Sequence, residues 1–317
     1  MPIHSSFPHR RFRVDVLKIA AFLGLVAACG RPVGEDATGS ASSVFVSRAA
    51  PMSGPAGTNK VPVTRGGGYL SAGYLHTCAL TTKGAVKCWG YNANGQLGDN
   101  TTANSLTPVT VYGLTKGVKA VSAAYTGTCA ISSKGAAKCW GSNNFGQLGH
   151  NSTTNSNKPV TVYGLTKGVK QISVGQYSTC AVSGKGKALC WGLNANGQLG
   201  DNSTTNSPKP VGVYGLGSGI QAVKTAVYHS CALTSKGKVR CWGYNGYGGL
   251  GDNSTTDSPR PVNVYNLDKA TKLSVGYLHT CVATARKAVK CWGYNTYGQV
   301  GDNTTTNTSH PVKVFGY

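Results

Sequence analysis

The sequence has very little acid. Nine Asp and Glu residues stand against 31 Lys and Arg among 317 residues, giving a formal net charge of +22, and Glu35 is the only glutamate. Because helical proteins depend on Glu together with Ala, Leu and Lys, this shortage argues against a helical bundle. Apolar residues make up 40% of the chain, which is enough to bury a sizeable core and excludes general disorder.

No long hydrophobic run opens the chain. The apolar stretch at residues 19–28 is shorter than the roughly 20 residues that a membrane-spanning helix needs. It follows a basic leader and ends in the small residues before Cys29. This is the layout of a secretory signal, and its end resembles a bacterial lipobox. We therefore expect residues 1–28 to be a lipoprotein signal peptide and Cys29 to carry the lipid. The alternative is an ordinary signal peptide in which Cys29 has no role.

The next segment lacks any apolar period. Residues 29–65 are rich in Gly, Ser, Ala and Pro, which is typical of a flexible linker. The folded body is therefore expected to be residues 66–317, held away from a membrane surface. The expected location is the bacterial cell envelope, as an outer-membrane lipoprotein or a secreted protein.

Repetition is what the sequence has in abundance. Cys-Trp-Gly occurs at Cys88, Cys139, Cys190, Cys241 and Cys291, and every Trp of the chain lies in one of these strings. A repeat of about 51 residues predicts a stacked or radial array of units that cannot bury their faces alone. The units are approximately residues 66–115, 116–166, 167–217, 218–268 and 269–317.

Each unit reads as four short strands. In the second unit we predict strands at residues 118–123, 128–132, 136–140 and 160–163, with Pro159 leading into the fourth. The turn between the second and third strands ends in Gly135, where a three-residue hairpin loop needs a left-handed residue. Lys287 replaces this glycine in the last unit. Four-stranded units repeated around an axis predict an all-β fold, a β-propeller of about five blades.

Ten cysteines form pairs with nine residues between the members, and each pair brackets a hairpin. The pairs are Cys78/Cys88, Cys129/Cys139, Cys180/Cys190, Cys231/Cys241 and Cys281/Cys291. Directly opposite residues of antiparallel strands are close enough for a disulfide, and an exported protein is where such bonds persist. Zinc needs four ligands, whereas each unit offers two thiols. Disulfides are the preferred interpretation, with metal binding and free buried thiols as alternatives.

The repeat resembles that of the regulator of chromosome condensation family. The first unit carries Gly-Tyr-Leu-His-Thr-Cys-Ala-Leu at residues 73–80 and Trp-Gly-Tyr-Asn-Ala-Asn-Gly-Gln-Leu-Gly at residues 89–98, and the other units repeat this pattern across residues 66–317. Gly249 and Val300 depart from it. The resemblance implies a β-propeller, and family members typically close seven blades. Five units leave three alternatives: a five-bladed ring, an open arc, or a ring completed by a second chain.

The same resemblance implies several functions. Eukaryotic members exchange guanine nucleotides on a small GTPase and bind chromatin, a use that an export signal disfavours. Bacterial relatives include an inhibitor of class A β-lactamases that grips its target with an aromatic loop face. Both activities are alternatives to a general binding role.

Few residues offer chemistry. Asp99, Asp201, Asp252 and Asp302 occupy one repeated position, filled by His150 in the second unit, and residues used in nearly every unit are typical of turns. His76, His229 and His279 also repeat, which favours hydrogen-bonded structural roles. No phosphate loop or nucleophile elbow is present in the sequence. We therefore expect no catalytic residue, no metal and no cofactor, and a protein that is not an enzyme.

Strand polarity sorts the remaining residues onto two ends. One end receives the aromatic residues Tyr74, Tyr125, Phe145, Tyr177, Tyr228, Tyr247, Tyr277 and Tyr297, which suit protein recognition. The other end, with the hairpins and the inter-blade links, receives 18 of the 23 Lys and Arg of residues 66–317. The hypothesis is a membrane-tethered, extracytoplasmic binding protein that recognises a protein partner or an anionic envelope polymer. Nucleic acid is disfavoured as a partner.

Overall fold

A computed structural model of the chain describes residues 69–317. These residues form twenty strands in five four-stranded sheets. Between residues 69 and 317 there is no helix that would cross a membrane. The predicted signal peptide, Cys29 and the linker at residues 29–65 lie outside the described residues.

The strands are short and regularly spaced. In chain order they are β1 Leu70–Ala72, β2 His76–Leu80, β3 Val86–Gly90, β4 Ser105–Thr110, β5 Val118–Ala123, β6 Gly127–Ser132, β7 Ala137–Gly141, β8 Ser156–Thr161, β9 Val169–Val174, β10 Ser178–Ser183, β11 Ala188–Gly192, β12 Ser207–Gly212, β13 Ile220–Thr225, β14 His229–Thr234, β15 Val239–Gly243, β16 Ser258–Asn263, β17 Ala270–Val275, β18 His279–Thr284, β19 Val289–Gly293 and β20 Thr308–Lys313.

Each sheet is one blade whose strands follow chain order and pair antiparallel. The first strands β1, β5, β9, β13 and β17 all line one central channel. The fourth strand of each blade therefore lies at the outer rim. This arrangement confirms the predicted all-β propeller architecture with five blades.

The predicted fourth strand begins too far along the chain. β8 runs from Ser156 to Thr161 rather than over residues 160–163, and Pro159 lies inside it. Proline is tolerated there because β8 is an edge strand. The pairing with β7 shifts register between Cys139 and Gly141. Because this shift interrupts the alternation of side chains, the sequence pattern of β8 is weak.

The hairpin turns behave as the glycine pattern predicts. Gly84, Gly135, Gly186 and Gly237 all have φ between 74° and 81°. Lys287 adopts the same left-handed region, with φ of 64°. The last hairpin therefore keeps its shape at the cost of a strained non-glycine residue.

All five predicted disulfides are present. Within each pair the cysteines are direct partners in the second and third strands, as for Cys180 and Cys190. Their Cα atoms lie 4.0–4.1 Å apart. Each bond therefore staples one hairpin in the middle of its blade.

Neighbouring blades meet at an interface, here called a blade joint, that has a repeated set of contacts around the Trp side chain. The indole Nε1 of Trp191 donates to the carbonyl of Gln147 in the preceding blade at 2.9 Å, and the Thr179 hydroxyl donates to the same oxygen at 2.9 Å. The equivalent indole bonds run from Trp140 to Gln96, from Trp242 to Gln198 and from Trp292 to Gly249.

A second contact closes each joint nearer the rim. The main-chain N–H of Asn151 donates to the Pro208 carbonyl at 2.9 Å, and Asn100, Asn202 and Asn253 make the equivalent bonds. The hydrophobic core fills the joints as well, because each buried cluster draws side chains from two successive blades. Blade packing, rather than any single sheet, makes the core.

Candidate functional site

Five short loops gather the inner tyrosines at one end of the channel. Each loop joins the first and second strands of a blade, and a main-chain bond such as Gly73 N–H to His76 O, 2.7 Å, closes it into a tight turn. Loops of adjacent blades are also linked, since Tyr74 N–H donates to Ala124 O at 3.1 Å. The inner tyrosines are Tyr74, Tyr125, Tyr177, Tyr228 and Tyr277.

These rings contact each other in pairs. Tyr74 and Tyr125 stack with centroids 4.3 Å apart, and Tyr228 meets Tyr277 edge to face at 5.6 Å. Tyr74 and Tyr277 remain 54% and 50% exposed. The mouth of the channel is therefore a rigid aromatic surface open to solvent.

A row of six tyrosines runs from this mouth across blades 4 and 5. Along it the centroid distances are 5.6, 6.0, 6.2, 4.9 and 6.2 Å, all within the range of aromatic pairing. We call this row the tyrosine ladder; its members are Tyr277, Tyr228, Tyr244, Tyr247, Tyr294 and Tyr297. Tyr297 at its end is 85% exposed.

Sequence reasoning missed two members of the ladder. Tyr244 and Tyr294 directly follow Cys-Trp-Gly, as does Tyr91. Their position in the repeat was the available signal. The structure brings together Tyr228, Tyr247, Tyr277 and Tyr297 of the predicted set in the ladder, whereas Tyr74, Tyr125, Tyr177 and Phe145 lie on blades 1 to 3, where Phe145 packs edge-on against Tyr177 at 5.3 Å.

The outer members of the ladder sit on loops that a buried asparagine holds in place. The Asn245 side-chain oxygen accepts from Leu250 N at 2.9 Å, and its amide donates to Asp252 and to Ser254 O, each at 3.1 Å. Asn92, Asn143, Asn194 and Asn295 occupy the same position and are equally buried. Such satisfied polar networks fix loop conformation, so Tyr247 is presented on a defined backbone.

The aromatic rings at this end are uncharged. Burial raises the pKa of Tyr228 far above its usual value, assisted by its hydrogen bond to Tyr277. Burial likewise raises the pKa of Tyr125, Tyr177 and Tyr244. These phenols therefore stay protonated and offer hydroxyl groups and ring faces to a partner.

The repeated histidines are structural where a following blade covers them. Nε2 of His76 lies 2.8 Å from the Thr128 hydroxyl, and Nε2 of His229 lies 2.9 Å from that of Thr280. Burial lowers the pKa of His76 to about 4 and that of His229 to about 3. Both imidazoles are neutral parts of the blade joints.

The repeated aspartates hold turns, as predicted. Asp201 Oδ1 accepts from the main-chain N–H of Ser203, two residues on, at 3.2 Å, and Asp99, Asp252 and Asp302 do the same. Over residues 69–317 no group of three or more His, Cys, Asp or Glu side chains is placed to hold a metal ion.

The opposite end of the channel, which we call the lysine end, carries the hairpin turns and the links between blades. The two features touch, because Val118 N–H donates to Gly84 O at 3.0 Å. Among residues 69–317 the one aspartate at this end, Asp268, pairs with Lys290 at 3.1 Å and with Arg286 at 3.8 Å. Sequence reasoning missed the exposed aromatic residues that follow the fourth strand of each blade: Tyr112, Tyr163, Tyr214, Tyr265 and Phe315.

The channel between the two ends is also basic. It has a volume of about 1290 Å³, and its lining by residues 69–317 includes Lys119, Lys170, Lys224 and Lys272 but no carboxylate. Its remaining walls are mostly apolar or amide side chains. The positive potential of the lysine end therefore continues along the axis.

The sequence matches the RCC1-like domain family over residues 27–316. The chain belongs to this family. Among RCC1-like relatives, the mitochondrial RCC1 domain-containing protein RUG3 of Arabidopsis thaliana is 33% identical over 62% of this chain and 46% of its own length. The ultraviolet-B receptor UVR8 of the same plant is 32% identical over 62% of this chain and 45% of its length. The chain thus spans under half of either relative.

Two similar solved structures support the fold alone. Human WBSCR16 superposes with a TM-score of 0.69 at 22% identity, covering 77% of this chain and 66% of that one. Prp20p of Saccharomyces cerevisiae, whose structure was described with its binding to Gsp1p and histones, gives a TM-score of 0.53 at 21% identity, covering 77% and 76%.

Proposed function

We propose that this RCC1-like protein is an extracytoplasmic, membrane-tethered binding protein that recognises a protein partner through its aromatic end. The observation that carries the proposal is the tyrosine ladder, six rings in mutual contact on clamped loops. Rigid Tyr side chains bring large contact area at low entropic cost. Their row extends from the channel mouth to the rim, which suits an extended segment or loop of the partner.

The chemistry of the site supports binding rather than catalysis. The polar side chains near the ladder are engaged in loop and joint hydrogen bonds, such as Asn245 with Asp252 and His229 with Thr280. A catalytic site needs a free acid or base beside a reacting group. Five disulfides support an oxidising compartment.

The test uses the full chain as bait in envelope extract after cross-linking. A Tyr247→Ala/Tyr294→Ala variant should lose the partner, with affinity reduced at least about tenfold. Tyr163→Ala/Tyr214→Ala is the matched control, because it removes two exposed tyrosines from the opposite end. Equal recovery by wild type and the ladder variant would refute the proposal.

The tether is tested separately. Cell fractionation and intact mass should place the protein in the envelope with a lipid on Cys29, and Cys29→Ser should release it. A soluble cytoplasmic protein with free thiols would contradict this part of the proposal.

The lysine end supports a second contact, with an anionic envelope polymer. Of the 18 Lys and Arg predicted at this end, Lys119, Lys170 and Lys272 line the adjoining channel. Within residues 69–317 this set is opposed by one aspartate, so a polyanion would bind with a strong salt dependence. Lys134→Glu/Lys185→Glu should weaken binding to an anionic polysaccharide such as lipopolysaccharide. Lys158→Glu/Lys209→Glu, which makes the same charge change on rim strands, should have a smaller effect. Identical losses in the two variants would show that only net charge matters.

A further inference from the structure

In the described part of the chain, residues 69–317, the first and last blades each have one uncovered face. In β2, Thr77 and Ala79 are partly exposed while His76 and Cys78 are buried. In β18 the pattern is reversed, with His279 and Cys281 partly exposed and Thr280 buried. Alternate residues of a strand point to opposite sides of its sheet. Within residues 69–317, blade 1 is therefore uncovered on its leading face, the side that packs on a preceding blade elsewhere, and blade 5 on its trailing face, the side that packs on a following blade.

The leading face carries one half of a blade joint. Trp89 and Thr77 are the equivalents of Trp191 and Thr179, which donate to the preceding blade. Within residues 69–317, neither Trp89 nor Thr77 makes that hydrogen bond, and Trp89 is partly exposed whereas the other four Trp side chains are fully buried. Leu106, at the position of Pro208, is 99% exposed.

The trailing face carries the other half. The carbonyl of Gln299 and the N–H of Asn303 correspond to the groups that receive Trp191 and bond Pro208 in the joint between blades 2 and 3. Gly301 corresponds to Gly149, where a Cβ would collide with Trp191. No Trp lies near Gly301, and open space surrounds Gly298. The slot for an indole is formed and uncovered in the described part of the chain.

We propose that these two faces bind each other between two copies of the chain, with the trailing face of blade 5 docking on the leading face of blade 1 of a second copy. The occupant is argued from continuity, since the same pair of faces forms the four joints inside the chain. This association is heterologous, so it closes a ring of chains or extends as an open assembly. It does not rest on the proposed function, although Tyr297 belongs both to the ladder and to this face.

Two further contacts are expected at this joint. His279 would meet the partner's Thr77, as His229 meets Thr280. Tyr297 would pack on the partner's Tyr91, as Tyr247 packs on Tyr294 at 4.9 Å. The tyrosine ladder would then continue across the joint.

The test measures the molar mass of the pure full chain by light scattering and sedimentation between about 1 and 100 μM, the range of a moderate association. All proteins carry Cys29→Ser, so that no lipid contributes. The wild-type mass should rise from one chain to two or more. Leu106→Glu spoils the leading face and Tyr297→Glu the trailing face. Both residues are fully or largely exposed in the single chain, so folding should be preserved, which circular dichroism checks.

Mixing the two variants distinguishes this joint from nonspecific association. Each variant alone should remain one chain at the highest concentration, with association weakened at least about tenfold. An equal mixture should form a pair of chains and stop there, because each variant retains the face that the other lacks. A Tyr163→Ala control should associate like the wild type. A wild type that stays monomeric throughout, or variants that associate as it does, would overturn the proposal.

Discussion

Blades 2 to 4 and the two terminal blades have nearly the same local sequence but different burial. Trp191 and Trp89 both lie in Cys-Trp-Gly, yet Trp191 is fully buried and Trp89 is partly exposed. Cys231 is fully buried, whereas Cys281 is not. The difference lies in the neighbouring blade. Stability of this fold therefore depends on nearest-neighbour joints, as in other repeat proteins.

The largest difference is expected at the Trp side chains. Trp191→Ala removes a buried ring and its bond to Gln147, and should cost about 3–5 kcal/mol of unfolding free energy. Trp89→Ala should cost less than half of that, because its joint is unmade. Denaturant unfolding at low protein concentration measures both values. Equal losses would show that the terminal blade buries its Trp in solution.

Acidification should weaken the joints through their histidines. The pKa values of His76 and His229 in the folded state, about 4 and about 3, lie below the unfolded value of about 6.5. As pH falls below 6.5 the unfolded state binds protons that the folded state does not. Stability should then fall by about 1.4 kcal/mol per pH unit for each histidine.

The variant His229→Ser isolates this effect. Ser178 occupies the equivalent position in blade 3 and bonds Thr225 at 3.0 Å, so serine is compatible with a joint. Unfolding measured between pH 7.5 and 4.5 should show a shallower slope for His229→Ser than for the wild type. His310→Ser, which alters an exposed histidine, is the control. An unchanged slope for His229→Ser would show that His229 does not contribute to the pH dependence of stability.

Reduction should distinguish the blades by exposure. Cys281 is partly exposed, while Cys78, Cys180 and Cys231 are fully buried. We expect mild reductant to open Cys281–Cys291 several-fold faster than Cys180–Cys190, since thiolate attack requires access. Timed alkylation and peptide mapping would give the order. Simultaneous opening of all five bonds would indicate that reduction follows global unfolding.

The smallest effect concerns the last hairpin. Lys287→Gly should stabilise blade 5 by about 0.5–1 kcal/mol, because glycine accepts the left-handed φ of 64° without a steric cost. Lys134→Gly, at the preceding turn position of blade 2, should be neutral or destabilising. Thermal unfolding of both variants makes the comparison. A destabilised Lys287→Gly would mean that the Lys side chain has an unrecognised role.

Local patterns predicted local structure well. The cysteine spacing predicted the disulfides, Gly135 and its equivalents predicted the hairpin turns, and the repeated Asp residues predicted the loop turns. Each depends on residues close in sequence, where spacing alone decides geometry. The interrupted register of β8 broke that link, so the fourth strand was misplaced.

The individual contacts between blades could not be predicted from the sequence. The Trp bond ends on a main-chain carbonyl, which is why Gly249 replaces Gln in the fourth unit without loss of the bond from Trp292. No residue type marks such an acceptor. The ladder was missed in part for the same reason, since Tyr244 and Tyr294 become neighbours of Tyr247 only when two blades pack.

The use of a main-chain acceptor has a consequence for how such chains change over generations. A unit that keeps its Trp, its loop and the buried side chains of its joints can pack against another such unit, whatever side chains cover its outer surface. A duplication or deletion of one whole unit leaves every remaining joint intact. The number of blades is therefore not set by the structure of any one joint.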